Sequence, residues 1–348
     1  MDKDIFNLRQ YNYEVPPELI AQEPLPKREE SRLLVVHRRK KWWEEVVFRD
    51  IVFFLRKGDV VVTNDTKVIK ARLLARKKTG GHLEVLLLRE RKEGVWEALV
   101  KPGKRAKVGD ILFFGNTPQF SAYVRDKTQQ GGRVLEFTPS EVKPLLDVYG
   151  KMPVPPYIKK EVEKDENYQT VYAFKEGAIA APTAGFHFTE DTFARMRQKG
   201  VEVTYVTLHC GLHTFRPIKT SDIRVHPIEE EVFELSQETA SCINEAKRQG
   251  RRVIAVGTTT IRTLESAAFS KGGMYQVTSQ KRGTDLYIYP GYEFKIIDAV
   301  VTNFHTPCST NLVLISTFCG LDLTQRAYRY ALRERFRFFS FGDAMFII

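Results

Sequence analysis

A change of texture inside the chain limits its fold more than any other feature. From residue 71 to residue 150 the sequence breaks into short β-prone runs separated by turn residues: Arg72-Leu73-Leu74, 83–88, 95–100, 111–114, Ala122-Tyr123-Val124 and 134–137. Runs at that spacing predict a small barrel or sandwich. The stretch Lys151-Met152-Pro153-Val154-Pro155-Pro156-Tyr157 reads as extended, polyproline-like chain returning to an earlier domain. After it helix and strand alternate, which predicts an α/β layer with a parallel or mixed sheet. The expected fold is α/β: a mixed-sheet α/β domain from residues 1–70 and 151–348, interrupted by a β-barrel-like subdomain at residues 71–150.

Local signals fill in the second half. Thr189 before Glu190 and Asp191 starts a helix that Gly200 ends, and Ser236 caps one carrying Ala240, Ile243 and Ala246 on a single stripe. A strand over 252–256 runs through Gly257 into a helix reaching Ser266; Ser309-Thr310 begin another, and a last helix is expected over 324–336. With 348 residues, 43% of them hydrophobic, the chain can bury two cores. Its formal charge of +11 fits a polyanionic partner. The N-terminal stretch has no apolar core of signal-peptide length and no run approaches the ~18 apolar residues that span a bilayer, so a cytoplasmic protein without a membrane partner is expected. Cys210, Cys242, Cys308 and Cys319 form no C-x-x-C pair and are expected to be reduced thiols.

Several segments could carry chemistry. Ala181-Pro182-Thr183-Ala184-Gly185-Phe186-His187-Phe188 precedes a helix N-terminus, where free N–H groups favour a carboxylate or phosphate, and Ala184 and Gly185 would let a ligand approach the backbone. The strand-to-helix turn Val256-Gly257-Thr258-Thr259-Thr260 repeats that logic; an ordinary capped turn is the plainer reading of each. No G-x-G-x-x-G occurs, so a Rossmann nucleotide site is not indicated. His209, His213 and His226, with residues 229–231, invite a metal test, but Gly211 after a β run argues against the helix that would bring two histidines together. Aromatics around Tyr289-Pro290-Gly291 suit base stacking, and the basic loop 101–107 and the arginines at 326, 329, 333, 335 and 337 suit phosphates, with solvated surface as the alternative.

In order along nearly the whole chain, Leu19-Ile20-Ala21-Gln22, Ser31-Arg32-Leu33, Asn64-Asp65-Thr66, Ala71-Arg72-Leu73, Met152-Pro153, Tyr168-Gln169-Thr170-Val171-Tyr172, the 181–188 run, Thr214-Phe215-Arg216-Pro217, Gly257-Thr258-Thr259, Tyr289-Pro290-Gly291-Tyr292, Thr302-Asn303-Phe304-His305 and Phe339-Ser340-Phe341-Gly342-Asp343 resemble the S-adenosylmethionine:tRNA ribosyltransferase-isomerase family of queuosine biosynthesis. The resemblance implies an α/β domain holding S-adenosylmethionine and the catalytic site. It implies a reaction in which the ribosyl carbons of S-adenosylmethionine become an epoxycyclopentane on the 7-aminomethyl group of a deazaguanine at the tRNA wobble position, with loss of adenine and methionine. S-adenosylmethionine is then a substrate, with no further cofactor and no metal, and the partner is tRNA carrying 7-aminomethyl-7-deazaguanine. The chain is expected to act as a monomer.

Within that reading, Thr183, Ala184, Gly185, Phe186, Thr258, Thr259 and Thr260 are expected to bind S-adenosylmethionine. Asn64, Asp65, Arg72, Lys104, Arg105, Arg216, Arg262 and Tyr289 are expected to contact tRNA or its base. A base able to take the 5′ proton acidified by the sulfonium should be a histidine poised near neutral pH, with His187 first, His209 second and His305 third. Lys67, His213, Glu229, Thr306 and Cys308 depart from the family pattern. A non-catalytic RNA-binding protein and a metal-dependent hydrolase built on His209, His213 and His226 are the rival classes.

Overall fold

The computed structural model describes residues 4–115, 119–128, 131–211 and 216–348. Two compact units result: Met1–Lys67 with Pro156–Lys175 and Ala181–Ile348, and Val68–Pro155 with Glu176–Ala180.

The larger unit is built on a nine-stranded mixed sheet in the order Gln280–Thr284, Glu231–Leu235, Glu202–Leu208, Val60–Asn64, Val253–Val256, Ala299–Asn303, Ala344–Ile347, Arg32–His37, Trp42–Val47. The four strands from Glu202–Leu208 to Ala299–Asn303 are parallel. Every residue of Val60–Asn64, Val253–Val256 and Ala299–Asn303 is buried, as parallel strands covered on both faces must be. Helix Glu190–Gln198 sets Phe193 and Met196 among Val61, Ile254, Val256, Val301 and Phe346. Helices Gln237–Arg248 and Thr258–Ala267 pack against the same strands. Each such buried Val, Ile, Phe or Met contributes about 1.5–3 kcal/mol.

The capping signals act as written in the sequence: Thr189, Ser236 and Ser309 each accept from the amide three residues on. The last helix differs. It runs over Leu321–Arg333, starting at Gly320, and Thr324 is not its cap but donates its hydroxyl back to the Gly320 carbonyl at 2.9 Å. Arg335 and Arg337 therefore lie beyond the helix and outside its arginine stripe. No helix among the described residues is long and apolar enough to cross a membrane.

In the smaller unit six antiparallel strands close on themselves: Arg72–Lys77, His82–Lys92, Val95–Lys101, Arg133–Thr138, Ser121–Lys127 and Ile111–Phe114, which pairs back onto the first. Period-2 alternation sends Leu73, Ala75, Leu83, Val85, Leu87, Ala122 and Val124 inward. Closure leaves these strands no open edge on either side. The basic run becomes a turn over Gly103–Arg105 with Lys104 and Arg105 exposed. Arg133, itself buried, fastens that turn by donating Nε to the Ala106 carbonyl at 2.6 Å and Nη2 to the Gly103 carbonyl.

Candidate active site

Because four neighbouring strands run parallel, their carboxyl ends open on one side of the sheet, the place where α/β folds bind ligands. A cleft open to solvent lies there. Its walls include Thr183 and Ala184, the Gly257-Thr258-Thr259 turn, residues 302–306 at the end of Ala299–Asn303, Cys210, Asn311, and Tyr157 with Phe339 and Ser340.

Asn64 builds this end of the sheet. Its Nδ2 donates to the Leu208 carbonyl at 3.0 Å and to Thr259 Oγ1 at 3.1 Å, and its Oδ1 accepts from the Leu208 and Thr66 amides at 3.0 and 3.2 Å. Fully buried and satisfied, Asn64 is a bracket between strand ends rather than the base contact expected from sequence. Gly257, at φ 83, makes the turn into helix Thr258–Ala267 in a backbone region that side-chain-bearing residues rarely adopt. No side chain caps that helix, and its first residues Thr258 and Thr259 line the cleft.

The expected S-adenosylmethionine residues divide. Thr183, Ala184, Thr258 and Thr259 line the cleft. Thr260 is fully buried and donates to the Val256 carbonyl at 2.7 Å, as a hydroxyl turned into its own helix does. Gly185 is small because Tyr172 packs on it: a Cβ there would fall 2.0 Å from the tyrosine oxygen. Phe186 is core, stacked on Phe341 at 5.8 Å.

The histidines also separate. His187 does not line the cleft; it is buried, its Nδ1 lies 2.8 Å from Ser31 Oγ, its Nε2 lies 3.3 Å from Asn303 Nδ2, and its ring stacks on Phe48. Burial, reinforced by Arg337 and Arg28, lowers its pKa from 6.5 to about 3 and keeps the ring neutral; its place outside the cleft lining, not its protonation state, sets it apart from His305. His209 sits with Nδ1 2.9 Å from Thr66 Oγ1, away from the cleft lining. His305 lines the cleft, with Nε2 2.6 Å from Thr302 Oγ1, and burial lowers its pKa to about 3 as well.

Of the expected RNA contacts, Arg262 is buried in an ion pair with Glu231 and donates to the Leu286 carbonyl at 3.0 Å, a core role and not a surface one. Asp65 is half-buried and accepts from Thr207 Oγ1 at 2.6 Å; burial raises its pKa against that bond and Lys175. Arg72 is half-buried, donating to the Val154 carbonyl at 2.9 Å. Arg216 is exposed and pairs with Glu229 at 3.2 Å, and Tyr289 is half-buried beside Tyr287. His213 and the Thr214-Phe215 pair lie outside the described residues; among the described ones no group of three His, Cys, Asp or Glu could hold a metal ion. The four cysteines are free thiols, and burial followed by Glu231 pushes Cys210 well above its usual range, leaving it inert on the cleft wall. Sequence reasoning missed Asn303, Asn311, Tyr157 and Ser340 as lining residues. Three of them fall in the 151–157 stretch and the 302–305 and 339–343 motifs, so the signal was present without a role attached.

The neutrality of His187 has a measurable consequence. Its folded pKa lies below the ordinary 6.5, so the unfolded chain takes up the proton first; its stabilising contribution is complete above about pH 6.5 and is lost as pH falls toward 3. Stability should decline there by up to about 1.4 kcal/mol per pH unit from this one group. Urea unfolding at a series of pH values should show the slope in the wild type and a shallower one in His187→Gln. Equal slopes would remove His187 as the acid-labile group.

Fold and cleft together define an α/β ligand-binding protein with a β-barrel insertion. The sequence matches the family described as queuosine biosynthesis protein over residues 8–347, and the chain belongs to that family. It is 47% identical to the S-adenosylmethionine:tRNA ribosyltransferase-isomerase of Halothermothrix orenii over 98% of this chain and 99% of that one, and 49% identical to that of Natranaerobius thermophilus over the same shares. The crystal structure of S-adenosylmethionine tRNA ribosyltransferase from Thermotoga maritima resembles it with a TM-score of 0.55 at 37% identity, covering 97% of this chain and 100% of that one.

Proposed function

We propose that the chain transfers and isomerises the ribosyl moiety of S-adenosylmethionine onto 7-aminomethyl-7-deazaguanine at the tRNA wobble position, giving epoxyqueuosine-tRNA with release of adenine and methionine. It is an enzyme of queuosine biosynthesis, and S-adenosylmethionine and tRNA are its substrates. The full-length family match carries this reading, and the cleft supplies a place for it.

The methionine carboxylate is placed at the uncapped amides of Thr258 and Thr259, where the helix dipole favours an anion. Thr183, Asn303 and Asn311 offer hydrogen bonds to the ribose and amino groups. Tyr157 and Phe339, 4.9 Å apart, offer aromatic faces for adenine or for the deazaguanine. His305, the histidine of the three candidates that lines the cleft, takes the catalytic role. Lys104, Arg105, Arg216 and Tyr289 remain the surface groups suited to tRNA.

The test is to mix purified protein with S-adenosylmethionine and tRNA bearing the aminomethyl base. Free adenine should appear in step with base modification. Binding of tRNA without adenine release would leave an RNA-binding protein, and activity lost only on chelation would favour the metal-dependent class.

A further inference from the structure

Beside the cleft lies a shallow hollow open to solvent, lined by Arg28, Ser31, Phe186, His187, Arg337 and Ser340 among others, and Ser340 lines both. Both guanidiniums line this hollow, and among the described residues neither is ion-paired with a carboxylate. Arg28 donates Nη1 to the Gln169 carbonyl at 2.6 Å and Nη2 to the Glu166 carbonyl at 2.5 Å, and lies 5.4 Å from the Phe186 ring centre. Arg337 donates Nη2 to the Glu23 carbonyl, while its Nη1 is buried with no partner among the described residues. The nearby acids are committed elsewhere: Asp343 accepts the backbone amides of Arg32 and Arg337 at 3.0 and 2.7 Å, and Glu23 pairs with Lys160. Burial alone lowers Arg28, and burial outweighs Asp343 and Glu23 in lowering Arg337.

A buried cationic N–H without an acceptor is costly unless a ligand completes it, and paired guanidiniums suit the oxygens of a phosphate. The chain turn that holds Arg337 is closely built. Phe339 stands at φ 70, and Gly342 lacks a Cβ that would fall 2.5 Å from the Arg337 carbonyl oxygen. That turn sets Phe339 and Ser340 on the cleft and Arg337 on the hollow.

We infer that Arg28 and Arg337 form a binding site for one phosphodiester group of the RNA strand whose modified nucleotide enters the cleft. The inference rests on the proposed function for the identity of that strand. The proposed function puts the carboxylate of S-adenosylmethionine at the Thr258 and Thr259 amides, and on that placement the hollow is free for the RNA backbone.

The experiment measures equilibrium tRNA binding against salt for the wild type, Arg28→Gln, Arg337→Gln, their double variant and Arg337→Lys, with KM for S-adenosylmethionine and thermal unfolding alongside. Each Gln variant should weaken tRNA binding roughly tenfold, and the double variant should reduce the slope of log affinity on log salt by about 0.7, one single-stranded phosphate. Arg337→Lys, which keeps the charge and guards against misfolding, should keep the slope and lose part of the affinity. KM for S-adenosylmethionine should stay within twofold or so of wild type. Unchanged tRNA slope in a folded double variant overturns the inference, as does a raised KM for S-adenosylmethionine with tRNA affinity intact. Inorganic phosphate at constant ionic strength should compete with tRNA on the wild type; phosphate that stabilises only the wild type while tRNA binding is equal in both would assign the hollow to a free anion and overturn it too. Absence of adenine release by the wild type would sink the proposed reaction, yet the binding slopes would still decide the phosphate contact.

Discussion

Replacing His305 by alanine should lower adenine release at least about a hundredfold while tRNA binding stays close to wild type. Proton removal from C-5′ of the sulfonium substrate requires an acceptor inside the cleft, and His305 lines it whereas His187 and His209 do not. The Thr302 hydroxyl, 2.6 Å from Nε2, orients the ring. With burial holding its pKa at about 3, His305 is neutral throughout the physiological range, so the acidic limb of kcat/KM should lie well below pH 6.5. Exchange of the 5′ hydrogens with deuterated water should disappear in His305→Ala. Exchange at the wild-type rate without product would move His305 from proton abstraction to holding the ribose, and wild-type turnover would end its candidacy.

Arg262→Met should destabilise the protein by about 3–5 kcal/mol, because it removes the guanidinium from a buried carboxylate. Glu231 is 3% exposed; besides meeting Arg262 it accepts the Gly211 amide at 2.6 Å, next to the cleft-lining Cys210. Combining Arg262→Met with Glu231→Gln should recover part of the loss, since the second change withdraws the stranded charge. Urea unfolding checks both values. A variant of wild-type stability with weakened tRNA affinity would return Arg262 to the RNA surface, where its place in the sequence had suggested it.

Thr258, Thr259 and Thr260 are identical residues in a row, yet only the first two face the cleft, because the third turns its hydroxyl to the Val256 carbonyl. Helical rotation decides this, and a run of like residues does not display it. Gly185 suggests close approach of a ligand to the backbone, whereas the group packed on it is Tyr172, brought by the chain over 168–172. Asn64 and Arg262 carry polar groups typical of surfaces; whether such a group meets water or a buried partner depends on strands far away in sequence.

What the sequence determined by itself is periodic or local: the six barrel strands through their alternation, the helix starts at Thr189, Ser236 and Ser309 through their caps, the glycine turn at 257, and the family through motifs spread along the chain. Period and capping act within a few residues, so they can be read in one dimension. Only the tertiary structure decided which histidine reaches the cleft, which arginines are left without carboxylates, and which asparagine ties strand ends together. Burial and pairing arise when segments such as 28–31, 187 and 337–343 meet, and the free energy of a charged or polar side chain depends on that meeting more than on its neighbours in the chain.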